Sequence, residues 1–193
     1  MPQIVIGLSG RIGAGKTTVA RRLADQYGFW HISISDLLKR LLIGRGITHP
    51  TRDDFVCLAE ELKALHGADC IARMVCDEIR SDPGAELIVL DGVRFLADND
   101  VLNRTILSYV HVHVHAGIFT RLDRIQRRKE KPGERGMTFT NLIHLDTSVT
   151  EQDIEHLAGR TDLIIDNSGS LGTLNVYVSM MLAQVRKRLS LTP

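Results

Sequence analysis

The residues whose types and spacing could do chemistry begin in a glycine-rich segment near the start of the chain. Gly10, Gly15, Lys16 and Thr17 fit the pattern G-x-x-x-x-G-K-[ST] of a phosphate-binding loop, the P-loop. Glycine permits a close backbone approach that a Cβ would block, and the N-terminus of the following helix adds a dipole that favours anions. The pattern predicts that a nucleotide polyphosphate binds to these residues: Gly10, Gly13, Ala14, Gly15, Lys16, Thr17 and Thr18.

An aspartate at the end of an apolar run is the second candidate. Residues 87–91 are four apolar residues followed by Asp91, a pattern typical of a buried parallel strand that brings a carboxylate next to the P-loop. A turn aspartate after a strand is common in any α/β protein, so the upstream P-loop is what favours the nucleotide-site interpretation. We expect Lys16 to reach the β- and γ-phosphates of ATP. Thr17 is expected to hold Mg²⁺ directly and Asp91 through water.

Two more charged residues follow predicted strand ends. Residues 30–35 alternate like a short strand, and the next helix has Ser35 as its predicted N-cap and Asp36 in its first turn. Arg94 stands three residues after Asp91, in the spacing Asp-x-x-Arg. Because ligands bind at the carboxyl ends of strands in open α/β sheets, both residues are candidates for ligand contact.

A basic helix is predicted over residues 118–128. Arg121, Arg124 and Arg128 fall on one face of it by i, i+3 and i, i+4 spacing. A glycine-bearing break at 132–136 and a returning helix over 138–157 follow. Most charge runs are solvated surface, but a phosphate site already exists in this chain, so we interpret the segment as a lid that closes over phosphates.

Three histidines alternate along the strand predicted at 108–115. His111, His113 and His115 would share one face of it, and three imidazoles on one face could converge on zinc. Residues two apart along a strand are about 6–7 Å from each other, however, which is too far for adjacent ligands without bending. We therefore expect neutral, hydrogen-bonded histidines packed under helices.

The elements that must position these residues alternate between strand and helix, as in an α/β protein. Apolar runs predict five strands, at residues 4–8, 30–35, 86–91, 108–115 and 162–167. Helical patterns occupy much of the chain between them, including 50–80, and a last helix is predicted over 171–189. One domain fits the length of 193 residues.

Composition narrows the class of protein further. Hydrophobic residues make up 44% of the chain and the formal net charge is +1, which supports a sizeable core and argues against a general nucleic-acid or membrane surface. The three cysteines, Cys57, Cys70 and Cys76, are odd in number and lack metal-type spacing. No apolar run reaches the ~18 residues of a membrane span, and no signal peptide is recognisable. We therefore expect a cytoplasmic protein with reduced thiols.

Taken together, these motifs resemble P-loop kinases of the nucleoside monophosphate kinase group. Adenylate kinase-like, dephospho-CoA kinase-like and deoxynucleoside monophosphate kinase-like proteins are the nearest within it. The resemblance rests on the following segments: 10–17, 35–39, 91–94, 121–128 and 164–170. It implies the three-layer sandwich of P-loop NTPases, with a five-stranded parallel sheet in the order 2-3-1-4-5 and a small helical lid. It also implies transfer of the γ-phosphoryl group of ATP to a small acceptor.

The resemblance also assigns roles by position. Asp36 matches the acidic residue that opens the acceptor-side helix, and Arg94 matches the arginine near the acceptor phosphate. Arg124 and Arg128 match lid arginines that contact ATP or the transferring group. Lys39 stands where adenylate kinases have an arginine, which is a departure at the acceptor helix.

Several functions remain open at this stage. The expected partner is a small-molecule phosphate acceptor such as a nucleoside monophosphate, bound by one kinase domain over 1–193. Within it we expect an acceptor-binding helical module at about 35–80 and a lid at about 121–150, in a monomer or homodimer. A dephospho-CoA kinase-like transfer to a ribose hydroxyl is the alternative within the class. A nucleotide-dependent switch or ATPase without a small acceptor, and an inactive phosphate-binding relic, are the alternatives outside it.

Overall fold

Five short strands form one parallel sheet in the computed structural model, which describes residues 3–128 and 136–190. The strands are β1 Ile4–Ser9, β2 Trp30–Ser33, β3 Leu87–Asp91, β4 Tyr109–His115 and β5 Leu163–Asp166. Their order in the sheet is β2-β3-β1-β4-β5, and every neighbouring pair is parallel. The strand order implied by the family resemblance is therefore confirmed.

Helices connect the strands and cover the sheet. Within the described residues they are α1 Lys16–Tyr27, α2 Ile34–Gly44, α3 Arg52–His66, α4 Cys70–Ser81, α5 Leu96–Thr105, α6 Ile118–Arg128, α7 Phe139–Asp146, α8 Val149–Gly159 and α9 Leu171–Ser190. Most of the predicted break at 132–136 lies outside the described residues.

Two apolar cores lie on opposite faces of the sheet. One joins α1 and α9 to strand residues such as Ile6, Leu8 and Val112. The other joins helices α2 to α5 to strand residues such as Val5 and Ile88. Because a parallel sheet is buried on both faces, its strands are nearly continuous apolar runs. This arrangement confirms the three-layer sandwich.

The register of the sheet brings the functional strand ends together. Leu8 of β1 pairs with Asp91 of β3, and Ser33 of β2 pairs with the same aspartate. On the other side of β1, Ser9 pairs with His113 of β4. The segments that follow β1, β2, β3 and β4 therefore all start at one edge of the sheet.

The prediction for the start of the helix after β2 was wrong by two residues. Ser33, not Ser35, is the N-cap, since its Oγ accepts a hydrogen bond of 3.1 Å from the amide of Asp36. A short polar side chain in extended backbone satisfies an amide of the first turn, and both serines have that chemistry. Asp36 lies in the first turn, as expected.

The returning helix predicted over 138–157 is in fact two helices. Thr138 opens α7 with a capping box to Asn141. The helix then ends because the Thr147 hydroxyl donates to the carbonyl of His144, at 2.8 Å, and Ser148 adopts an extended conformation. A side chain that bonds to the backbone in this way competes with continuation of a helix. α7 therefore ends at Asp146, and a separate helix, α8, begins after Ser148.

The histidines on β4 differ in their surroundings. His111 and His113 are buried, and each places a ring nitrogen near the Ser9 hydroxyl, at 2.8 Å and 3.0 Å. Burial lowers the pKa of both to about 4, with a further contribution at His113 from the neighbouring His115. His111 and His113 are therefore neutral at physiological pH, as expected, whereas His115 is exposed.

The described residues contain neither a metal-binding cluster of side chains nor a membrane-spanning helix. No group of three or more His, Cys, Asp or Glu side chains there could hold a metal ion. No helix within those residues is long and apolar enough to cross a membrane.

Replacing His111 with Gln is expected to reduce how much the free energy of unfolding decreases when the pH is lowered. The unfolded chain takes up a proton at His111 near pH 6.5, whereas the folded protein does so only near pH 4. Stability is therefore lost as the pH falls through this window, by up to about 1.4 kcal/mol per pH unit. Urea titrations from pH 4 to 7 would measure this slope.

A second buried group, Asp98, changes the stability in the opposite direction over the same pH range. Burial raises its pKa to about 6, so the folded protein binds the extra proton and gains stability as the pH falls. Comparing wild type with His111→Gln cancels this opposing contribution. An identical pH slope in the two proteins would contradict the assignment of His111 as a buried neutral histidine.

Candidate functional site

The P-loop connects β1 to α1 and passes very close to the ends of two other strands. Gly10, Gly13 and Gly15 all have positive φ, at 141°, 77° and 94°. A Cβ on Gly10 would lie 2.2 Å from the carbonyl oxygen of Val114, and one on Gly15 would lie 2.3 Å from Nδ2 of Asn167. These two glycines are required both by their backbone conformation and by the space available.

The loop leaves the N-terminal amides of α1 available to a ligand. Gly15 is the N-cap residue of α1 in the left-handed conformation and has no side chain that could cap those amides. Uncapped amides at a helix N-terminus attract anions through hydrogen bonding and through the helix dipole. The arrangement suits a phosphate group.

Lys16 lies back across the loop. Its Nζ donates to the carbonyl oxygens of Gly10, at 2.6 Å, and Arg11, at 3.2 Å. Backbone carbonyls thus hold the ammonium within the curve of the loop, where it can meet the charge of a bound polyphosphate.

Thr17 and Asp91 lie in direct contact. The Thr17 hydroxyl donates to Oδ2 of Asp91 at 2.6 Å, and Nε2 of His31 is 3.6 Å from the same oxygen. Burial favours the protonated form of Asp91, but His31, Lys16 and the Thr17 hydroxyl outweigh it and lower the pKa of the carboxyl below 3.8. Asp91 is therefore ionised at neutral pH.

These two oxygens fit a magnesium site. Mg²⁺ prefers oxygen ligands and is usually bound by one or two protein groups together with waters and substrate phosphates. Thr17 and Asp91 supply a hydroxyl and an ionised carboxylate next to a phosphate-binding loop. The open α1 N-terminus and the glycines of the loop fit the polyphosphate of a nucleotide in the same way.

Arg124 of α6 lies against the P-loop and the turn after β5. Its guanidinium donates to the carbonyl oxygens of Ala14, at 3.5 Å, and Gly169, at 3.4 Å. Asn167 at the end of β5 donates to the same Ala14 oxygen at 2.8 Å. Arg124 is thus beside the P-loop, on the side of the β5–α9 turn.

The basic face predicted for α6 is not uniform. Arg121 is only 3% exposed, and its guanidinium makes a two-pronged ion pair with Asp146 of α7, at 3.0 Å and 2.6 Å. It also donates to the carbonyl oxygen of Ile12 in the P-loop, at 3.2 Å. Arg121 therefore joins the loop to α7, while Arg128 is half-buried in the last turn of α6.

Asp36 and Lys39 are exposed on α2, three residues apart. Because Ser33 pairs with Asp91 in the sheet, the helix whose first turn contains Asp36 begins beside the end of β3. It is therefore on the same edge of the sheet as the P-loop.

Arg94 contacts a residue that the sequence analysis did not identify. Its Nη1 donates to Oε1 of Glu151 in α8, and Nη2 of Arg52 at the start of α3 is 3.5 Å from the same oxygen. The Glu151 side chain is fully buried, whereas 27% of the Arg94 side chain and 30% of the Arg52 side chain are exposed.

No local signal in the sequence identifies this cluster. Arg52 and Glu151 are separated by 99 positions, and each sits in the first turn of an ordinary amphipathic helix. A pairing of that kind is set by how α3, α5 and α8 pack, and not by a motif.

A second acidic residue of α8 contacts the P-loop itself. Glu155 accepts a hydrogen bond of 2.5 Å from Nη2 of Arg11, whose Nη1 also donates to the carbonyl oxygen of Asp146 at 3.1 Å. Glu155 stands one helical turn after Glu151. One face of α8 therefore reaches both the P-loop and the arginines that follow β3 and open α3.

A parallel sheet in this order, with a P-loop after its central strand and an aspartate at the end of the adjacent strand, defines a P-loop protein of the kinase type. Comparison with known proteins gives the family. The chain belongs to the AAA_17 family, described as an AAA domain, whose model matches residues 9–146.

Similar proteins and structures include named kinases. A UPF0200 protein from Aeropyrum pernix is 28% identical over 173 residues, which cover 89% of this chain and 88% of that protein. A uridine kinase from Geobacillus kaustophilus is also 28% identical, over 95% of this chain and 93% of the kinase. Shikimate kinase from Bacteroides thetaiotaomicron shares the fold, with a TM-score of 0.65 at 16% identity, over 95% of this chain and 98% of that one.

Kinases thus occur among both the homologues and the structural neighbours. The chain is a P-loop phosphotransferase similar to nucleotide kinases.

Replacing Gly15 with Ala is expected to weaken Mg·ATP binding at least about 10-fold, because a Cβ there forces the loop away from Asn167 and disturbs the amides that meet phosphate. Left-handed backbone should also cost the variant about 1–2 kcal/mol of stability. Isothermal titration calorimetry and urea unfolding measure the two effects.

Gly28→Ala is the matched control. Gly28 also has a positive φ, of 73°, but a Cβ there meets no atom within 4 Å. This variant should show the stability loss with unchanged affinity for Mg·ATP. Equal nucleotide affinities for the two alanine variants would contradict the role assigned to Gly15.

Proposed function

We propose that the protein transfers the γ-phosphoryl group of ATP, with Mg²⁺, to a small acceptor such as a nucleoside monophosphate. The observation that carries this proposal is the 2.6 Å contact between Thr17 and an ionised Asp91, beside a P-loop whose lysine is in place. Asp36 and Arg94 follow strands that end at the same edge of the sheet, on the side away from β4. Donor and acceptor groups can therefore meet there.

On the donor side, each residue neutralises or positions charge. Lys16 and the amides of the loop bind the β- and γ-phosphates, while Thr17 and Asp91 provide the oxygen ligands of the metal. Mg²⁺, when bound, neutralises charge on the phosphates. Arg124 and Arg128 act from the α6 side on the charge that develops during transfer, as arginine fingers supplied in cis.

On the acceptor side, Arg94 binds the acceptor and Asp36 orients it. An acceptor oxygen attacks the γ-phosphorus, the bond from phosphorus to the β–γ bridging oxygen breaks, and ADP leaves with that electron pair. If the acceptor group is a hydroxyl, its proton passes to Asp36 acting as general base. A phosphate oxygen needs no such base, and Asp36 then only positions the acceptor.

A transfer to a hydroxyl is the second candidate function. The uridine kinase relative is named for an acceptor that has hydroxyl groups and no phosphate. Dephospho-CoA kinase-like chemistry on a ribose hydroxyl has the same requirement. Asp36 would be essential in either case, so its replacement by Asn separates hydroxyl transfer from transfer to a phosphate.

We further propose a single kinase domain with the acceptor-binding module at about 35–80 and the lid at about 121–150. Arg52, at the start of α3, falls within the module, and α7 falls within the lid. The proposed setting is cytoplasmic, as a monomer or homodimer, with the small acceptor as the main partner.

Lys16→Ala is expected to lower kcat at least about 100-fold, since it removes a preorganised charge from the transferring phosphates. The melting temperature should stay close to that of wild type, because Lys16 is a partly buried residue that packs in neither of the two apolar cores on the sheet. Lys187→Ala, which removes an exposed lysine at the end of α9, is the control. Undiminished turnover in Lys16→Ala would overturn the proposed mechanism.

A coupled ADP-release assay with Mg·ATP identifies the acceptor. The panel is UMP, CMP, AMP, uridine, dephospho-CoA, shikimate and gluconate. The expected result is that one compound stimulates turnover at least about 100-fold over water, a large part of the rate gain that positioning an acceptor can give. Stimulation by none of them would favour the switch or ATPase alternative.

A further inference from the structure

A buried carboxylate lies beneath two partly exposed arginines on the acceptor side. Oε1 of Glu151 accepts a hydrogen bond from Arg94, and it is 3.5 Å from Nη2 of Arg52. None of the Glu151 side-chain surface is exposed, whereas about a quarter to a third of each arginine side chain is. A ligand from solvent therefore meets the two guanidinium groups, with Glu151 behind them.

The two arginines are close enough to affect each other. Burial is the largest influence that lowers the pKa of Arg52, and the charge of Arg94 is the next. Glu151 acts in the opposite direction through its charge and its hydrogen bond. Without that carboxylate, two like charges would repel each other, and both long side chains would be free to turn toward water.

The helix that carries Glu151 is firmly packed. Ile154 and Leu157 of α8 are 1% and 0% exposed, and the Asp153 carboxylate accepts a hydrogen bond of 2.9 Å from the amide of Leu96 in the first turn of α5. α5 begins two residues after Arg94. Glu151 is therefore attached to the same packed unit as the arginine that it contacts.

Stability alone gives no reason for this glutamate. Its second oxygen, Oε2, is buried and has no hydrogen-bond partner among the described residues, and an unsatisfied buried carboxylate oxygen is unfavourable. Well-packed apolar residues often replace buried ion pairs without loss of stability. A charged residue kept at such a position fits a role in holding other groups.

We propose that Glu151 is a positioning residue, which holds Arg52 and Arg94 side by side so that their exposed N–H groups bind an anionic group of the acceptor. This proposal rests on the proposed function. It narrows the substrate class to acceptors that carry a phosphate or carboxylate, and that anionic group can be the one that receives the phosphoryl or a separate one. Two guanidinium groups with one buried carboxylate leave a net charge of +1 for that anion. Arg52 joins Arg94 as an acceptor ligand.

The test compares Glu151→Gln with wild type in steady-state assays on whichever panel acceptor stimulates turnover. Gln keeps the shape but cannot neutralise two arginines, so the KM for the acceptor should rise at least about 10-fold. The kcat and the KM for ATP should stay within about 2-fold, because no donor-side contact changes. Glu151→Asp, which keeps the charge on a shorter side chain, should give a smaller rise in KM.

The direction of the change in the KM for the acceptor distinguishes positioning by Glu151 from simple charge repulsion. If Glu151 only opposed an incoming anion by its charge, Glu151→Gln would bind the acceptor more tightly, and a lower KM would overturn the proposal. A purely structural role would lower kcat and raise both KM values together with a lower melting temperature, which would also overturn it. Asp77→Asn, which removes a carboxylate from an exposed pair with Arg80, controls for the loss of charge.

A binding experiment separates this proposal from the proposed function. The side-chain Nε–H NMR signals of Arg52 and Arg94, assigned with Arg52→Lys and Arg94→Lys, are followed while UMP, shikimate or gluconate is added to protein saturated with a non-hydrolysable ATP analogue. Shifts in wild type that need about 10-fold more ligand in Glu151→Gln support the proposal even if no acceptor is phosphorylated. Turnover of an acceptor without shifts at either arginine would overturn it.

Arg52→Gln covers the case in which Glu151→Gln does not fold. It leaves Glu151 paired with Arg94 and removes only one acceptor ligand. The KM for an anionic acceptor should rise at least about 10-fold, whereas an unchanged KM would overturn the role of the pair.

Discussion

The register of the parallel sheet is the constraint on which the site depends. Leu8, Ser33 and Asp91 lie side by side at the carboxyl ends of β1, β2 and β3. Shifting a strand by one residue would turn Asp91 to the other face of the sheet and break its contact with Thr17. Because both faces are filled by apolar side chains, such a shift would also expose core residues, so the packing that stabilises the fold keeps the carboxylate in place.

The charged residues around the site do not form a simple basic lid over a phosphate-binding loop. Arg11 of the P-loop, Arg52 of α3 and Arg94 after β3 are all contacted by acidic side chains of α7 and α8. Arg121, which belongs to the predicted basic face, is itself neutralised by Asp146. Arg121 and Arg124 of α6 both donate to carbonyl oxygens of the P-loop, and a role for Arg124 in phosphate binding stays a prediction.

Local patterns were sufficient for the central part of the fold. The P-loop has a spacing that few other structures share, and each strand is a nearly continuous apolar run, so the order of elements could be predicted. The strand order came from the family resemblance and was confirmed. Helix ends were less predictable, since Ser33 and Ser35 have the same capping chemistry and only the end of β2 decides between them.

The acidic partners could not be predicted from the chain alone. Asp146 and Glu151 lie in two short helices, α7 and α8, that follow the predicted break at 132–136. The sequence of 138–157 has the composition of one continuous helix. The contact of Glu151 with Arg94 forms only after α7 has ended at Thr147 and α8 has begun as a separate helix. A threonine that hydrogen-bonds to the nearby backbone is only a weak local signal of a helix end. The sequence alone therefore does not show that the helix is interrupted at Thr147.

The contact between Asn167 and the P-loop has a consequence for synthesis of the chain. The nucleotide-binding loop is complete in sequence once Thr18 has been made, but its walls are the carbonyl of Val114 and the amide of Asn167, which lie about 100 and 150 residues later. A nascent chain therefore carries an unsupported loop until β5 has left the ribosome. Any stabilisation that a bound nucleotide gives through this loop is therefore expected only once the sheet is complete.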